Sequence, residues 1–277
     1  MTFSIVTPSF NSGRWLPSCV ASVGDQGVNS QHLVQDGGST DGALEWLRGR
    51  DDICLESAPD QGMYDAVNRG LKRGQGEICA YLNCDEQYLP GALIAVRETF
   101  RRNPETDVLF ANTVCVKPDG AFVCHRKVVV PTLDHTLLCH LATLSAAMFF
   151  RRRLLDAGFW FDPTFRAAGD ADWVARLIAS GVRMDVLPGY TSVFTFTGTN
   201  LSESGQAVLE QARLAGRLPA WRRSLRLLVK IRHRLRKWRC GAYRQEPFDY
   251  SIHVAGAAER RSFHSGPNPG WRWPASR

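Results

Sequence analysis

Short apolar runs alternate with helix-like stretches over the first hundred residues, and this alternation limits the folds open to the chain. Between the runs, apolar residues recur at the three- and four-residue steps of a helix face. Strand–helix–strand units of this length cross over right-handed and build parallel sheets. The pattern predicts an α/β fold with a mainly parallel central sheet flanked by helices, with strands at 3–7, 32–35, 53–56 and 78–82 and helices at 15–23, 43–48 and 63–73.

The chain beyond residue 100 is less regular. A buried strand is predicted at 107–111, and a turn signal at 118–120 lies between two short apolar runs, as in a hairpin. A helix is predicted at 170–180 and a strand at 182–187. Residues 241–277 are rich in Gly, Pro, Arg and Trp, which predicts an irregular tail.

Residues 217–239 account for the excess of positive over negative charge in the chain. They hold ten Lys or Arg and no Asp or Glu, whereas the whole chain has a net charge of +7. The apolar residues of this segment fall on one helical face: Trp221, Leu225, Leu228, Ile231, Leu235 and Trp238. A basic amphipathic helix with Trp on its apolar side is typical of proteins that bind an anionic membrane surface. The alternative is a helix packed on the rest of the chain; nucleic acid is not expected, since no reader motif accompanies the charge.

The start of the chain and its cysteines predict a compartment. No basic segment precedes a long apolar run, and no run approaches the roughly 18 apolar residues of a membrane-spanning helix. The eight cysteines include no CxxC pair, and several lie in apolar runs. We expect a reduced cytoplasmic protein, with peripheral association through 217–239 with the inner face of the cell membrane as a further expectation.

The residues directly after the predicted strands are small, polar or acidic. The carboxyl ends of parallel strands meet at one edge of a sheet, where open α/β folds bind ligands. Neither the GxGxxG turn of dinucleotide-binding proteins nor the GxxxxGKS/T phosphate loop is present. Acidic residues can instead hold a diphosphate through a divalent cation, Mg²⁺ or Mn²⁺. Asp85, directly after the fourth strand, is the candidate metal ligand, and Asp36 and Asp65 are suited to hydrogen-bond a base, ribose or sugar.

Four motifs at this edge together resemble family 2 glycosyltransferases of the GT-A fold. They are SIVTPSFN at 4–11, QDGGSTDG at 35–42, DQGMYDAVNRG at 60–70 and GEICAYLNCDE at 76–86. The resemblance extends to about residue 200 and is close to the sub-group that assembles colanic acid and other surface polysaccharides. It implies an enzyme that transfers a sugar, with inversion, from a nucleotide-diphosphate donor to a hydroxyl of a glycan or lipid-linked glycan.

The resemblance also assigns roles to residues. Asp36 would contact the nucleotide base, and Asp65 and Asn68 would lie near the diphosphate and the sugar. The donor site that it implies is Thr7, Pro8, Phe10, Asn11, Asp36, Gly37, Gly38, Asp65, Asn68, Asn83 and Cys84, with Asp85 as the metal ligand of a DxD-like motif. Asp36 and the glycines after it have a simpler explanation as a strand-to-helix turn.

Asn83 departs from the family pattern. It stands where relatives carry the first carboxylate of DxD, which lowers the negative charge available to a metal ion. This departure leaves an alternative function open: the chain could be a GT-A-like nucleotide-binding or scaffold protein that does not catalyse transfer. A nucleotidyltransferase is a weaker alternative, because it would need a Gly-rich, Arg- or Lys-bearing segment where this chain has PSFN at 8–11.

The segment AGDADW at 168–173 resembles the later motif that carries the catalytic base. The resemblance makes Asp170 the base and Asp172 its neighbour. An inverting transfer needs a carboxylate within hydrogen-bond reach of the acceptor hydroxyl. Asp170 can serve at the same time as a helix-start residue, since acidic side chains stabilise helix N-termini.

The chain is therefore predicted to contain three segments. A GT-A catalytic domain spans 1–215, with a nucleotide-binding half at 1–112 and an acceptor half at 113–215. A basic amphipathic helix follows at 216–240, and the irregular tail completes the chain at 241–277. The expected partners are a nucleotide-sugar donor, a glycan or lipid-linked acceptor and an anionic membrane surface, with Mn²⁺ or Mg²⁺ as cofactor.

Overall fold

The computed structural model describes residues 1–198, 200, 204–255, 257 and 259–274. Over this part of the chain, a sheet of nine strands is covered by helices on both faces. The predicted α/β class is confirmed.

The first half of the sheet is parallel, as predicted. Its elements are β1 (Phe3–Ser9), α1 (Leu16–Gly24), β2 (Ser30–Asp36), α2 (Ala43–Leu47), β3 (Cys54–Ser57), α3 (Met63–Arg73) and β4 (Ile78–Tyr81). The strands lie side by side in the order β3-β2-β1-β4, with parallel pairing throughout. Their carboxyl ends therefore meet at one edge.

The second half of the sheet is mixed. Its elements are β5 (Glu86–Tyr88), α4 (Ala92–Arg102), β6 (Val108–Val116), β7 (Phe122–Arg126), α5 (Leu133–Leu138), β8 (Met148–Arg151), α6 (Arg153–Asp156), α7 (Gly169–Ala179) and β9 (Met184–Thr195). The order continues β4-β8-β6-β9-β5, with β7 beside β6. Only the β6–β9 pair is parallel in this half of the described sheet, and the other neighbours are antiparallel.

Close backbone contacts bring the first turns of α3 and α7 together over the sheet. A Cβ at Gly70 would lie 2.5 Å from Val6, so α3 rests directly on β1. A Cβ at Gly169 would lie 2.6 Å from the ring of Tyr64, so the start of α7 packs against the start of α3. These contacts fix the position of Asp170, the second residue of α7.

Two predictions for the C-terminal part are wrong. After α8 (Gly205–Gly216), the segment predicted as one helix at 216–240 forms α9 (Ala220–Ser224) and α10 (Arg226–Arg239), which are separated at Leu225. The tail predicted as irregular contains an antiparallel hairpin of β10 (Asp249–Ile252) and β11 (Arg261–His264). The Tyr250 hydroxyl donates to the carbonyl of Gly120 over 2.7 Å, which fixes the hairpin to the β6–β7 turn.

Candidate active site

A cleft of about 580 Å³ opens where the carboxyl ends of β1 and β4 meet the first turns of α3 and α7. The predicted site residues that line it are Pro8, Phe10, Asn11, Asn83, Cys84, Asp85 and Asp170. Residues that sequence reasoning did not single out also line it, among them Tyr64, Glu86, Leu144, Ser145, Phe194 and Asn200. The fold thus brings six separate segments of the sequence to one cavity.

Asp170 is held at the wall of the cleft by two hydrogen bonds to one carboxylate oxygen. Its Oδ1 accepts the backbone N–H of Ala171 at 2.8 Å and the hydroxyl of Tyr64 at 3.4 Å. Burial raises the pKa of Asp170 from 3.8 to about 6, because removal of water penalises the charged form, and these hydrogen bonds offset only part of that rise. Asp170 is therefore ionised at neutral pH and more basic than an ordinary carboxylate.

Asp172 faces away from the cleft. Successive helical residues are rotated by about 100°, so positions 170 and 172 point in nearly opposite directions. The Asp172 side chain is 1% exposed and pairs with Arg176 at 2.9 Å and with Arg217 at 2.6 Å. The prediction of a catalytic role for Asp172 is wrong in this respect, since its carboxylate does not reach the cavity.

Asp85 and Glu86 place two carboxyl groups at the floor of the cleft. Burial raises the pKa of Asp85 to about 6, and the side-chain amide of Asn200 donates to its Oδ2 over 3.2 Å. Glu86 is almost fully buried and accepts the backbone N–H of Asn83 at 2.9 Å. Burial, followed by the charge of Asp85, raises the pKa of Glu86. Glu86 has a local sequence signal, because it is a second acidic residue directly after Asp85.

The oxygen atoms around Asp85 suit a divalent cation that phosphate oxygens of the substrate help to bind. Asp85 offers a hard carboxylate oxygen, and Asn83 also lines the cleft there. Within the described residues, no group of three or more His, Cys, Asp or Glu side chains is arranged to hold a metal ion. Mg²⁺ commonly binds through one or two carboxylates plus water and phosphate oxygens. Cys84 does not compete, because burial raises its pKa to about 12 and keeps it a thiol.

Asp36 folds the loop after β2 rather than facing the cleft. Its Oδ2 accepts the N–H groups of Gly38 and Ser39 at 2.8 and 2.9 Å and the hydroxyl of Ser57 at 2.9 Å. Its Oδ1 accepts the Ser39 hydroxyl at 2.5 Å. Burial raises the pKa of Asp36, but the hydrogen bonds from Ser39, Gly38 and Ser57 outweigh it and leave a lowered pKa. The turn explanation fits this geometry, and contact with a nucleotide base stays a prediction.

Thr7 and the glycines lie beside the cleft. The Thr7 hydroxyl is buried 2.9 Å from Nε2 of His32 and does not face the cleft, and its contact with the donor stays a prediction. A Cβ at Gly37 would lie 3.3 Å from the ring of Phe10, which shows that Gly37 borders the cleft wall. Gly38 has a φ of 95°, a conformation that side chains disfavour.

Asp65 and Asn68, both on α3, hold neighbouring backbone. Asp65 accepts the N–H of Gln61 at 2.9 Å and pairs with Arg69 at 2.8 Å. The Asn68 amide donates to the carbonyl of Phe161 at 2.8 Å and accepts its N–H at 3.1 Å. Both polar atoms of Asn68 are thus occupied by the backbone of Phe161, and its contact with the donor stays a prediction. The role of Asp65 toward a diphosphate stays a prediction.

Glu210, on α8, binds the backbone of the loop that precedes α7. Its carboxylate accepts the consecutive N–H groups of Arg166, Ala167 and Ala168 at 2.7, 2.9 and 2.8 Å. Burial raises the pKa of Glu210, but hydrogen bonds from Gln206 and from these amides outweigh it. No local sequence pattern identifies Glu210, because its partners lie more than forty residues earlier.

Solved structures of other proteins share this fold. S. aureus TarS in complex with UDP-GlcNAc matches with a TM-score of 0.62 and 21% identity over 78% of this chain and 65% of that chain. The mannosyltransferase PcManGT from Pyrobaculum calidifontis, solved with GDP-Man and Mn²⁺, matches with a TM-score of 0.53 and 18% identity over 69% and 56%. The chain thus spans less than two thirds of these solved chains. The shared architecture is that of a glycosyltransferase of the GT-A fold.

Sequence comparison gives the family. The chain belongs to glycosyl transferase family 2, whose model matches residues 4–159. A PGL/p-HBAD biosynthesis glycosyltransferase of Mycobacterium tuberculosis is 27% identical over 189 residues, 64% of this chain and 70% of that protein. An uncharacterized glycosyltransferase of the same species is 34% identical over 91 residues, 31% of this chain and 35% of that protein. The predicted family and fold are confirmed.

Proposed function

We propose that this glycosyltransferase moves a sugar, with inversion, from a nucleotide-diphosphate donor to a hydroxyl of a glycan or lipid-linked glycan, in the assembly of a surface polysaccharide. The observation that carries the proposal is that Asp85 and Asp170 line one cleft, each with a pKa raised to about 6. The solved neighbours with UDP-GlcNAc and with GDP-Man support the donor class. Catalytic groups with shifted pKa values in a cleft are typical of active sites.

Asp170 is assigned as the general base. The acceptor hydroxyl attacks the anomeric carbon, its proton passes to Asp170, and the bond from that carbon to the diphosphate oxygen breaks. Ala171 and Tyr64 both bind Oδ1, so Oδ2 is the oxygen that we assign to the acceptor. A base with a pKa near 6 is ionised at pH 7 and retains a strong affinity for a proton.

Asp85 is assigned to the donor diphosphate through Mn²⁺ or Mg²⁺. When bound there, the cation would neutralise the negative charge that develops on the departing nucleoside diphosphate. Asp85, in the loop after β4, would hold it, while Asn83 provides an uncharged neighbour instead of a second carboxylate. The raised pKa of Glu86 favours its neutral form, which further limits the negative charge around the diphosphate.

We further propose peripheral binding to an anionic membrane surface through α9 and α10. These helices expose their apolar side chains, with Leu227, Trp221 and Trp238 at 70%, 66% and 65% exposure. The buried residues of α10 are polar, His233 and Lys237. An apolar face directed outward on a basic helix supports lipid contact. None of the described helices has the length and apolar character to cross a membrane.

Donor hydrolysis is the test of the transferase proposal. UDP-, GDP- and dTDP-sugars are incubated with Mg²⁺, Mn²⁺ or EDTA, and wild type is compared with Asp85→Ala and Asp170→Asn. Turnover of one donor only with metal, and its loss in both variants, would support both assignments. A protein that binds nucleotide tightly but turns nothing over, even with lipid-linked acceptors present, would favour the scaffold alternative.

A further inference from the structure

A second cavity, separate from the cleft, lies beside the C-terminal hairpin. Its volume is about 530 Å³, close to that of the cleft and large enough for a small ligand. The strands β10 and β11 form one wall, and the loop after β5 together with β9 forms the other. We define the hairpin cavity by the side chains of Tyr190, Gln245, Phe248, Asp249, Ser251 and Ser262.

Aromatic side chains give the hairpin cavity an apolar surface that is already in place. The rings of Tyr190 and Phe248 stack 4.9 Å apart, with 7° between their planes. The Phe248 ring also packs edge-on against Phe122 at 6.0 Å, and the Tyr190 hydroxyl donates to Oε1 of Gln245 over 2.9 Å. Tyr190 and Phe248 are only half-buried, and both line the cavity. Contacts on several sides therefore hold two rings that a ligand can still touch.

The polar groups of the hairpin cavity are mainly hydroxyls and a carboxylate. Ser251 and Ser262 lie opposite each other in the β10–β11 ladder, and their hydroxyls form no hydrogen bond within the described part of the chain. The Asp249 side chain is 81% exposed, and one of its oxygens lies 2.7 Å from Nδ1 of His264. The described residues that line this cavity include no Lys, Arg or His. The cavity therefore offers hydrogen-bonding oxygens but no cation for a phosphate or another anion.

We propose that the hairpin cavity binds an uncharged sugar unit of the acceptor glycan, away from the hydroxyl that reacts. This rests on the proposed function, because the glycan is the acceptor of the same enzyme. A pyranose ring has C–H groups on its faces and hydroxyls at its edges. The negative face of an aromatic ring attracts C–H groups, while serine hydroxyls and a carboxylate form hydrogen bonds with sugar hydroxyls. The Asp249 carboxylate repels the carboxylate of an acidic sugar.

The hairpin cavity lies close enough to the cleft for one glycan chain to reach both. β5 is the last strand in the order of the described sheet. Glu86, at the start of β5, lines the cleft, and Leu89, directly after its end, lines the hairpin cavity. The strand between them spans roughly 10 Å, a distance that a short oligosaccharide covers. The cavity therefore favours acceptors of several sugar units over a single sugar.

Saturation-transfer NMR with neutral trisaccharides tests this proposal without donor or metal. The probes are maltotriose, cellotriose, mannotriose and triacetylchitotriose, with trigalacturonic acid as the acidic probe and 1-octanol as the apolar probe. Ser262→Trp fills the cavity from an exposed strand position, and Arg261→Trp, exposed beside it but outside the lining, is the matched control. We expect Ser262→Trp to weaken the Kd of a bound trisaccharide about tenfold or more, and Arg261→Trp to change it less than about twofold.

Thermal unfolding verifies that the variants are folded, and Ser251→Trp blocks the same cavity from β10 should Ser262→Trp not fold. Three results would overturn the proposal. They are the absence of saturation transfer to every neutral trisaccharide, a Kd that the blocking variant leaves unchanged, and tighter binding of trigalacturonic acid or 1-octanol than of the neutral trisaccharides. Failure of the proposed function is a separate result, because it appears as absence of donor turnover in wild type. A protein that binds a trisaccharide in the hairpin cavity but turns over no donor would contradict the transferase assignment alone.

Discussion

Glu210 accepts a hydrogen bond of 2.8 Å from the backbone N–H of Ala168, the residue immediately before helix α7 and its Asp170. Two further amides of the same loop bind the same carboxylate. Three backbone donors are satisfied by one side chain that is 3% exposed. The position of the proposed base therefore depends on α8, an element that begins 35 residues later than Asp170.

Glu210→Gln is expected to reduce kcat about tenfold or more, since a small displacement of a catalytic group is costly. Glutamine keeps one oxygen and places an NH₂ group against a backbone N–H, which leaves a donor unpaired. The free energy of unfolding should fall by about 1–3 kcal/mol. Steady-state kinetics and denaturant unfolding measure the two effects, with exposed Glu246→Gln as control. Lost stability with an unchanged kcat would restrict Glu210 to a structural role.

Asp170→Asn is expected to lower the transfer rate by about 10²–10⁴, the usual contribution of a general base. The same change should raise the free energy of unfolding at pH 7 by about 1–2 kcal/mol. Each pKa unit of upward shift corresponds to about 1.4 kcal/mol, and less than the full shift is counted because the Asp170 side chain is partly exposed. Kinetics and thermal unfolding are measured on the same samples. A variant that retains wild-type turnover would exclude Asp170 as the base.

Asp172→Asn is expected to lower the free energy of unfolding, whereas Asp170→Asn is expected to raise it. Its carboxylate pairs with Arg176 and Arg217, and removal of the charge leaves two partly exposed cations beside a buried site. We expect a loss of about 2–4 kcal/mol, since breaking a buried pair is strongly destabilising. Urea unfolding at pH 7 gives the value. An increase in stability would show that the two arginines do not need this partner.

The pH dependence of turnover should show an acidic limb near pH 6. The pKa of Asp170 is raised to about 6, so its carboxylate takes up a proton as the pH falls through 6. The pKa of Asp85 is raised to about 6 as well in the metal-free protein, so the folded protein binds more protons than the unfolded chain between about pH 4 and 6, and the destabilisation that these two buried carboxylates cause becomes smaller as the pH falls across that window. Rates from pH 3.5 to 8 test this, and a limb near pH 4 would contradict it.

Association with lipid should depend on the outward apolar face of α10. Leu228→Glu together with Trp238→Glu is expected to weaken binding to phosphatidylglycerol vesicles about tenfold or more, because each apolar side chain contributes about 1.5–3 kcal/mol when buried. Val208→Glu, an exposed apolar position on α8, is the control. Flotation at low salt measures binding. Wild-type protein that stays in the soluble fraction would refute membrane association.

The parallel half of the fold was predictable because its signals are local. The strand and helix at 3–7 and 63–73 each match an observed element, since alternating apolar runs and helical spacing are read within a few residues. The β10–β11 hairpin was not predictable in the same way. Tyr250 and Ile252 give only two apolar positions, too few to stand out in a segment rich in Gly and Arg.

The candidate site was predicted where a motif places a side chain at a strand end, as for Asp85. The sequence does not show where the fold itself uses a side chain: both polar atoms of Asn68 bind the backbone of Phe161, and Glu210 binds amides more than forty residues earlier in the chain. The sequence also does not show which face of α10 is buried. An amphipathic pattern identifies two faces, but the packing of His135 on His233 decides which one is buried.

The contact between Arg217 and Asp172 also has a practical consequence for shortening the protein. The sequence predicts the end of the catalytic domain at 215, but a chain cut there would lose the Arg217 guanidinium, which lies 2.6 Å from the carboxylate of Asp172, two residues after the proposed base Asp170. It would also lose Leu218, which is buried in the main apolar core. A version that lacks α9 and α10 yet keeps its chemistry should therefore end after Leu218.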